Sequence, residues 1–252
     1  MSLPADAQER ARRALDLTSP DPAPRSAVIG VLDRLCRAAT SSLPVDGAVV
    51  HLMSSAAGDG VVAASDPTAR ELGDLEFALG EGPALEAAVL RRPILVPDLG
   101  ARYASRWPGY ASSAREHDVE AVFALPLHLG AVAFGALELY AAARGPLDDA
   151  DTGLALAFAG IGTQTLLDNM IVGPDGELEP GLALAMDRRG EIAQAQGMVM
   201  VDLRVGLGEA LACLRAHAFA TEVSLHELAR QVIAGYVLPG APDALPGSKV
   251  EG

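Results

Sequence analysis

The residues with the clearest capacity for chemistry lie near the C-terminal end, where arginine and glutamine side chains recur without a nucleophile or a metal-binding motif. Guanidinium groups bind phosphates, and amide side chains form hydrogen bonds with polar groups such as base edges. This combination over residues 182–236 predicts a small binding module rather than an enzyme active site. The candidate residues are Arg188, Arg189, Gln194, Gln196, Gly197, Arg204 and Arg215.

These candidates occur at helical spacing. Arg189, Gln196 and Arg204 are seven and eight positions apart and would share roughly one helix face. Gly197 has no Cβ, so a nucleic-acid backbone or a neighbouring helix would be able to approach closely. The alternative is that these side chains are merely solvated, as polar residues on helical faces commonly are. Nearby acidic residues favour that alternative, namely Asp187, Glu191, Asp202 and Glu209.

Charge is unevenly distributed along the chain of 252 residues, whose net charge is -14. Residues 1–179 contain 13 basic and 25 acidic residues, which gives -12. Residues 180–252 contain 6 basic and 8 acidic residues, which gives -2. Because an acidic body repels nucleic acid at long range, only the C-terminal part is a plausible nucleic-acid surface.

Catalytic, metal and cofactor sites are not predicted. Histidines 51, 117, 128, 217 and 226 have no metal-ligand spacing. Gly80-Glu81-Gly82-Pro83 lacks the Lys-Ser/Thr ending of a phosphate-binding loop, and it predicts a tight turn with Pro83 in the first turn of a helix. Asp148-Asp149-Ala150-Asp151 is typical of a helix start with favourable charges at its N-terminus.

The cellular location is predicted from the lack of a disulfide framework and from the lack of a signal or transmembrane segment. Cys36 and Cys213 lie far apart and form no disulfide framework, so we interpret them as small buried side chains. The sequence contains neither a signal peptide nor a hydrophobic transmembrane run. Together these features predict a cytoplasmic protein.

Strand and helix patterns place most of the chain in an α+β domain. Residues 1–25 predict an N-terminal helix and a proline-rich linker. A helix begins near Ser26, and strands are predicted at 48–52, 61–65, 94–96, 121–129 and 132–140, with hairpin turns at Gly58-Asp59-Gly60 and Gly130-Ala131. Pro126 inside a strand requires a sheet edge or a bulge. Helices at 69–77, 83–91 and 110–117 complete an antiparallel sheet with flanking helices.

From residue 148 onward the sequence predicts only helices, first at the end of the first domain and then in a second domain. A helix over 148–169 carries a stripe of Leu154, Phe158 and Ile161, which predicts a homodimer that pairs through residues 150–169. Glycine and proline break the pattern at 173–181, and three short helices follow over 182–238. The predicted limits are therefore 1–25, 26–172 for the first domain, 173–181 for a linker, 182–238 for the second domain and 239–252 for a disordered tail.

The C-terminal segment resembles the ANTAR family of RNA-binding modules from bacterial transcription antiterminators. The matching residues keep their mutual spacing over about 182–236: Arg189, Ile192, Gln194, Ala195, Gly197, Met198, Met200, Ala210, Leu214, Arg215, Leu225, Ala229 and Val232. The resemblance implies a three-helix module that binds paired RNA stem-loops. Relatives usually carry lysine in place of Gln196 and a basic residue in place of Asp202, which puts two phosphate contacts in doubt.

The first 170 residues resemble a GAF domain of the kind that actinobacteria join to ANTAR modules. The resemblance lies in Val45-Asp46-Gly47-Ala48, Gly80-Glu81-Gly82-Pro83, 92–99, Trp107-Pro108 and 121–127. Relatives often have cysteine where this chain has Ala84. A GAF fold implies a ligand pocket between sheet and helices, for which the candidate residues are Tyr103, Trp107, Tyr110, Arg102 and Arg106. The alternative is a loop that these aromatic residues merely anchor.

The sequence therefore predicts a signal-responsive antitermination regulator in which a GAF domain senses a small molecule or another signal and an ANTAR module binds RNA. Three alternatives stay open. A DNA-binding regulator would need basic residues on the third helix, which offers only Arg230. A signalling or protein-interaction module would have a degenerate RNA surface. An enzyme with a GAF accessory domain would need a catalytic constellation, which the sequence lacks.

Overall fold

The computed structural model describes residues 5–21, 26–53, 60–100, 103, 105–170, 180–221 and 223–239, with the helix backbone alone over 180–190. The chain divides into two compact units, Met1–Asp187 and Arg188–Gly252. The domain limits predicted at 26–172 and 182–238 stay predictions, and most of the predicted linker and tail lies outside the described residues. Among the described helices, none is both long and apolar enough to cross a membrane.

The first unit is built on a five-stranded antiparallel sheet. Its strands are β1 (Gly47–Leu52), β2 (Gly60–Ala64), β3 (Ile94–Val96), β4 (Ala121–Leu129) and β5 (Val132–Ala141). Their spatial order is β2-β1-β5-β4-β3, with antiparallel pairing between all neighbours. The five predicted strands are confirmed to within a residue at their ends. The central strand is β5, whose residues are buried on both faces from Phe134 onward.

Pro126 sits where its missing N–H is tolerated. It pairs with Ala136 on one side. On the other side β3 pairs only with Val122 to Ala124, so no described strand covers Pro126 there. A register shift follows between Leu127 and His128. Of the two predicted settings, a sheet edge or a bulge, the bulge is confirmed, whereas β4 lies between β5 and β3 and is not an edge strand.

One face of the sheet is covered by α2 (Ala27–Ser42) and α6 (Asp149–Met170), and α1 (Ala5–Leu17) packs against these two helices. The Ser26 hydroxyl caps α2 by accepting a hydrogen bond from the Ile29 N–H at 3.1 Å. Aliphatic side chains from these helices pack with the large apolar residues of β4 and β5 in one core. Its fully buried members include Leu32, Leu35, Leu125, Leu127, Leu137, Leu139 and Phe158.

The residues predicted for the dimer contact serve this core instead. Leu154 and Phe158 are 1% and 0% exposed, and Ile161 packs against the same cluster. The stripe is thus satisfied within one chain and is not available to a partner, so that part of the prediction is wrong. The physical reason is that an apolar stripe shows that a helix is buried on one face, not which element covers it.

The opposite face of the sheet carries α3 (Pro67–Leu79), α4 (Pro83–Leu90) and α5 (Pro108–Glu116). All three predicted helices are confirmed. Each starts with proline in its first turn, where the missing N–H costs no helical hydrogen bond. These helices pack against a second core, which contains Val49, Ala136 and Tyr140 from the central strands.

The second unit contains most of α7 (Pro180–Leu203), then α8 (Leu207–Ala220) and α9 (Leu225–Ile233). Small and aliphatic side chains at helical spacing form its core: Ile192, Ala195, Val199, Ala210, Leu214, Ala218, Leu225, Leu228, Ala229 and Val232. The Ser224 hydroxyl caps α9 by accepting from the Glu227 N–H at 3.1 Å. This is the serine half of a capping box, in which a Ser side chain and a Glu three residues later cap one helix N-terminus.

Candidate functional site

Polar side chains are buried in the middle of the sheet face that α3, α4 and α5 cover. Along β1 and β5, side chains alternate between faces, so His51 and Glu138 lie on the same side as Val49, Ala136 and Tyr140. His51 pairs with Ala136 across the two strands, which places its ring diagonal to Glu138. Both are almost inaccessible, with 2% and 0% exposure. We call His51, Glu76, Tyr110, Glu138 and Tyr140 the buried acid cluster.

Glu138 is the hydrogen-bonding centre of this cluster. Its Oε2 contacts His51 Nε2 at 2.9 Å and accepts from the Tyr140 hydroxyl at 2.7 Å. Its Oε1 accepts from the Tyr110 hydroxyl at 3.2 Å. Burial by itself would raise the pKa of Glu138, but hydrogen bonds from His51, Glu76 and Tyr140 lower it overall. Glu138 is therefore the ionised carboxylate of the cluster.

Glu76 is the second carboxyl, and it reaches the cluster from α3. Burial raises the pKa of Glu76 well above its usual range, and the charge of Glu138 and the hydrogen bond between the two carboxyls raise it further. Backbone N–H groups of Ala84 and Leu85 oppose this shift by donating to the Glu76 oxygens at 3.0 to 3.1 Å. The net result is a carboxyl pair that retains a proton on Glu76.

The two tyrosines act as hydrogen-bond donors. Burial raises the pKa of Tyr110 and of Tyr140, and the negative charge of Glu138 adds to the effect. Their hydroxyl groups therefore stay protonated and direct their hydrogens at Glu138. The cluster thus contains a carboxylate with three side-chain donors besides the protonated Glu76.

Two acidic side chains from the α3–α4 region cap the helices around the cluster. Because α4 begins after Gly82, which has no side chain to cap it, the Glu76 carboxyl supplies the acceptor for its first N–H groups. Glu81 does the same for α5: its Oε1 accepts from the N–H groups of Gly109 and Tyr110 at 2.7 and 3.0 Å. Carboxyl groups suit these positions because helix N-termini carry partial positive charge.

Glycines make this arrangement possible. Gly80 closes α3 in the left-handed conformation at φ 72°, and Gly82 adopts φ 148°. A Cβ at Gly82 would overlap the carboxyl end of Glu76. The turn predicted at Gly80-Glu81-Gly82-Pro83 is therefore present, with Pro83 at the start of α4. Its function in the fold is to bring Glu76 and Glu81 to two helix N-termini.

The predicted ligand residues converge on the same region. Tyr103 stacks on Trp107 with ring centroids 5.5 Å apart, and Trp107 meets Tyr110 edge-on at 6.4 Å. Trp107 and Tyr110 are buried, and Tyr110 belongs to the cluster through its hydroxyl. Arg106 forms an ion pair with Glu86 and lies 5.2 Å from the Trp107 ring centre. Arg102 lies outside the described residues.

His51, Glu76 and Glu138 are site residues that the sequence interpretation missed. His51 and Glu138 each interrupt an apolar strand. An isolated ionisable residue in a buried strand is the signal that could have identified them as site residues. Glu76 gives no comparable signal, because one glutamate in a helix is ordinary. The His51 Nε2 and the carboxylate oxygens lie within 4.8 Å of one another, so these three residues could also hold a metal ion.

In the second unit the predicted RNA-binding residues have different surroundings. Gln194 is exposed, while Gln196 and Arg215 are partly buried. The side chains of Arg188 and Arg189 lie outside the described part of the structure. A Cβ added at Gly197 would meet no atom of the chain within 4 Å. Packing within the chain therefore does not explain why position 197 is glycine.

Arg204 departs from the predicted geometry. Helix α7 ends at Leu203, and Arg204 is exposed in the left-handed conformation at φ 56°. The Val205 N–H then bonds to the Met200 carbonyl at 3.2 Å, which closes the helix end. Arg204 is thus not on the regular helix face that it was predicted to share with Arg189 and Gln196, since the chain leaves the helix there.

Comparisons with known proteins agree with this architecture. The GAF domain family matches residues 27–166, and the ANTAR domain family matches residues 181–233. Solved structures similar to the chain include the GAF domain of a phosphoenolpyruvate-protein phosphotransferase from Acinetobacter, with a TM-score of 0.51 and 13% identity over 69% of this chain and 98% of that one. The GAF domain of the corresponding protein from Coxiella burnetii has a TM-score of 0.50 and 14% identity over 65% of this chain and 92% of that one.

These structural likenesses concern the fold of the first unit, since their identities are low. No curated protein sequence matches the chain significantly. The family matches cover the two segments in the order that the sequence predicts, a sensor-type domain and then a helical module. The chain therefore belongs to the GAF domain family and carries an ANTAR domain behind its GAF domain.

Proposed function

We propose that this protein is a signal-responsive regulator whose ANTAR domain binds RNA stem-loops and thereby prevents transcription termination. The observation that carries the proposal is the ANTAR match over residues 181–233 directly behind a GAF domain. Both are regulatory domains, which favours a regulator over an enzyme. Such a protein would act where transcripts are made, in the cytoplasm.

The RNA surface we propose consists of the residues that the resemblance implies. Exposed Gln194 would reach base edges in the loops, and the open space at Gly197 would admit an RNA backbone. Arg188, Arg189, Arg204 and Arg215 would bind phosphates, with Gln196 in a polar contact. Because Asp202 is exposed, it would lower the number of effective phosphate contacts.

The GAF domain would supply the signal. Its buried acid cluster, with Tyr103, Trp107 and Arg106 beside it, is the region where we expect a ligand to act. The signal would pass along α6 toward the second domain. A homodimer through residues 150–169 would have to use the outward side of α6, at Gly160, Gln164 and Asp168, because the apolar side is buried. Light scattering of the intact chain measures this state.

A second candidate function is protein interaction through the ANTAR domain. Val201 and Phe219 favour it, since both are apolar and 75% and 65% exposed. They would mark a contact surface if they belonged to one contiguous apolar patch. A protein-interaction module with a degenerate RNA surface would bind a stem-loop and a scrambled RNA equally weakly.

The test is filter binding of the intact chain to an RNA with paired stem-loops, with a scrambled RNA of the same length as competitor. We expect preference for the stem-loops and weaker binding by Arg189→Ala. The matched control is Arg230→Ala, which removes an arginine that is paired with Glu227 on α9. If Arg230→Ala were the damaging change, and duplex DNA the preferred ligand, the RNA proposal would be replaced by the DNA-binding alternative.

A further inference from the structure

We propose that His51, Glu76 and Glu138 bind one divalent first-row transition-metal ion inside the GAF domain. This inference names a class of signal for the sensor. The binding of the ion stands on the geometry alone, and only the ion's role as a signal rests on the proposed regulatory function.

The three side chains come from three elements and meet at one point. His51 projects from β1, Glu76 from α3 and Glu138 from β5. One imidazole nitrogen and two carboxylate oxygens lie within 4.8 Å of one another. A mixed nitrogen and oxygen set of this kind suits Zn²⁺, Fe²⁺ or Mn²⁺, whereas the imidazole is a poor ligand for Mg²⁺ or Ca²⁺.

A cation is compatible with the charge of the cluster. Glu76 and Glu138 are both 0% exposed, and without the proton on Glu76 the fold would bury two carboxylates, which is strongly unfavourable unless a cation compensates them. Among the described residues, His51 is the cationic group that contacts the pair, and it supplies at most a single positive charge. A divalent ion held by two carboxylates and a neutral imidazole leaves the cluster with no net charge.

The size of the occupant is limited by packing. A void large enough for a water molecule beside these carboxyls would appear as accessible surface, and they have none. The cluster as it stands therefore excludes an organic molecule, which leaves protons or a single ion as its possible occupants. An organic signal would require α3 or α4 to move first.

Hydrogen bonds from neighbouring groups hold the two carboxyls in the positions that metal ligands would need. Tyr110 and Tyr140 donate to Glu138, and the N–H groups of Ala84 and Leu85 donate to Glu76. Partners of this kind orient carboxylate ligands in metal sites and are a large part of their affinity. The ion would replace the proton on Glu76 and any proton on His51 Nε2, and both would leave to solvent. Binding should therefore strengthen as pH rises.

The proposal is tested by Zn²⁺ competition between the intact chain and a chromophoric chelator. We expect one ion per chain, release of protons on binding, and no competition by Mg²⁺. His51→Gln and Glu76→Gln should each weaken binding by at least about tenfold. Glu76→Gln retains an oxygen that can accept from Ala84, and circular dichroism verifies that both variants fold. The matched control is His226→Gln, which removes the partly buried His226–Glu191 pair of the second unit and should leave the affinity unchanged.

A measurement on the unmodified chain keeps the test independent of variant folding. In ¹⁵N-histidine NMR, Zn²⁺ should shift the ring nitrogens of one buried histidine, His51. The proposal is overturned if these signals do not move, if His226→Gln abolishes binding, or if the cluster titrates with pH but takes up no ion. Because none of these measurements contains RNA, failure of RNA binding would leave their outcome unaffected.

Discussion

Replacing Gly197 by alanine should stabilise the ANTAR domain while weakening the RNA binding that we propose for it. Gly197 lies in the interior of α7, where glycine is less favourable than alanine by about 1 kcal/mol. The new methyl group would meet no atom of the chain within 4 Å, so neither a clash nor a packing gain changes this figure. For a module of this size, the gain corresponds to a rise in Tm of roughly 4–8 °C.

RNA binding should change in the opposite direction. If an RNA backbone approaches the helix at position 197, an added methyl group overfills a close contact, which costs about 1–3 kcal/mol in packed interfaces. The Kd should then increase roughly fivefold to hundredfold, since about 1.4 kcal/mol corresponds to a factor of ten. Filter binding with the paired stem-loop RNA measures this change, and thermal unfolding of the same samples measures the stability.

The control is Ala212→Gly, which changes the same two residue types in reverse on the exposed side of α8. It should lower stability by about 1 kcal/mol without altering the Kd for RNA. An unchanged Kd in Gly197→Ala, together with higher stability, would show that RNA does not approach this position. The assignment of Gly197 to the RNA surface would then have to be abandoned.

Three further predictions concern the GAF domain, and urea unfolding of the intact chain measures each of them. The stability that Glu76 contributes as a protonated group is complete below about pH 4.3, its unfolded pKa. This stability is lost as pH rises toward the raised folded pKa of Glu76. The prediction is contradicted if the free energy of unfolding of Glu76→Gln falls as steeply with pH as that of the unmodified chain. Gly82→Ala should cost about 1–3 kcal/mol because of its positive φ and the overlap with Glu76, whereas Gly130→Ala, with φ 58° and open surroundings, should cost at most about 1 kcal/mol. Tyr140→Phe should cost about 1–3 kcal/mol because Glu138 loses a buried donor.

The strands could be predicted because their signals are local. Hairpin turns and apolar runs identify β1, β2, β4 and β5 without knowledge of the rest of the chain. The short β3 was also found, since Pro97 marks its end. The irregularity of β4 near Pro126 also followed from a local rule, because proline lacks the N–H that a regular interior strand position needs. Each of these inferences depends on residues that are neighbours in sequence.

The buried acid cluster could not be predicted in this way. His51, Glu76 and Glu138 are far apart in sequence, and they meet only because β1 pairs with β5 and α3 packs over both. Arg204 shows a different limit: the seven- and eight-residue spacing was correct, but the helix ended one residue before it. For Leu154 and Phe158 the pattern identified the buried face and left open which surface covered it.

Glu76 links the chemistry of the cluster to the helices that cover it. Its carboxyl accepts from the N–H groups at the start of α4 and also faces Glu138. Ionisation of Glu76 would strengthen the first interaction, because a helix N-terminus favours negative charge. The same ionisation would weaken the second, because two carboxylates would repel each other in a medium of low dielectric. A bound cation removes this conflict, since it attracts both carboxylates while Glu76 remains an acceptor for α4. If the cluster binds an ion as we propose, its occupancy would change how firmly α3 and α4 are held on the sheet.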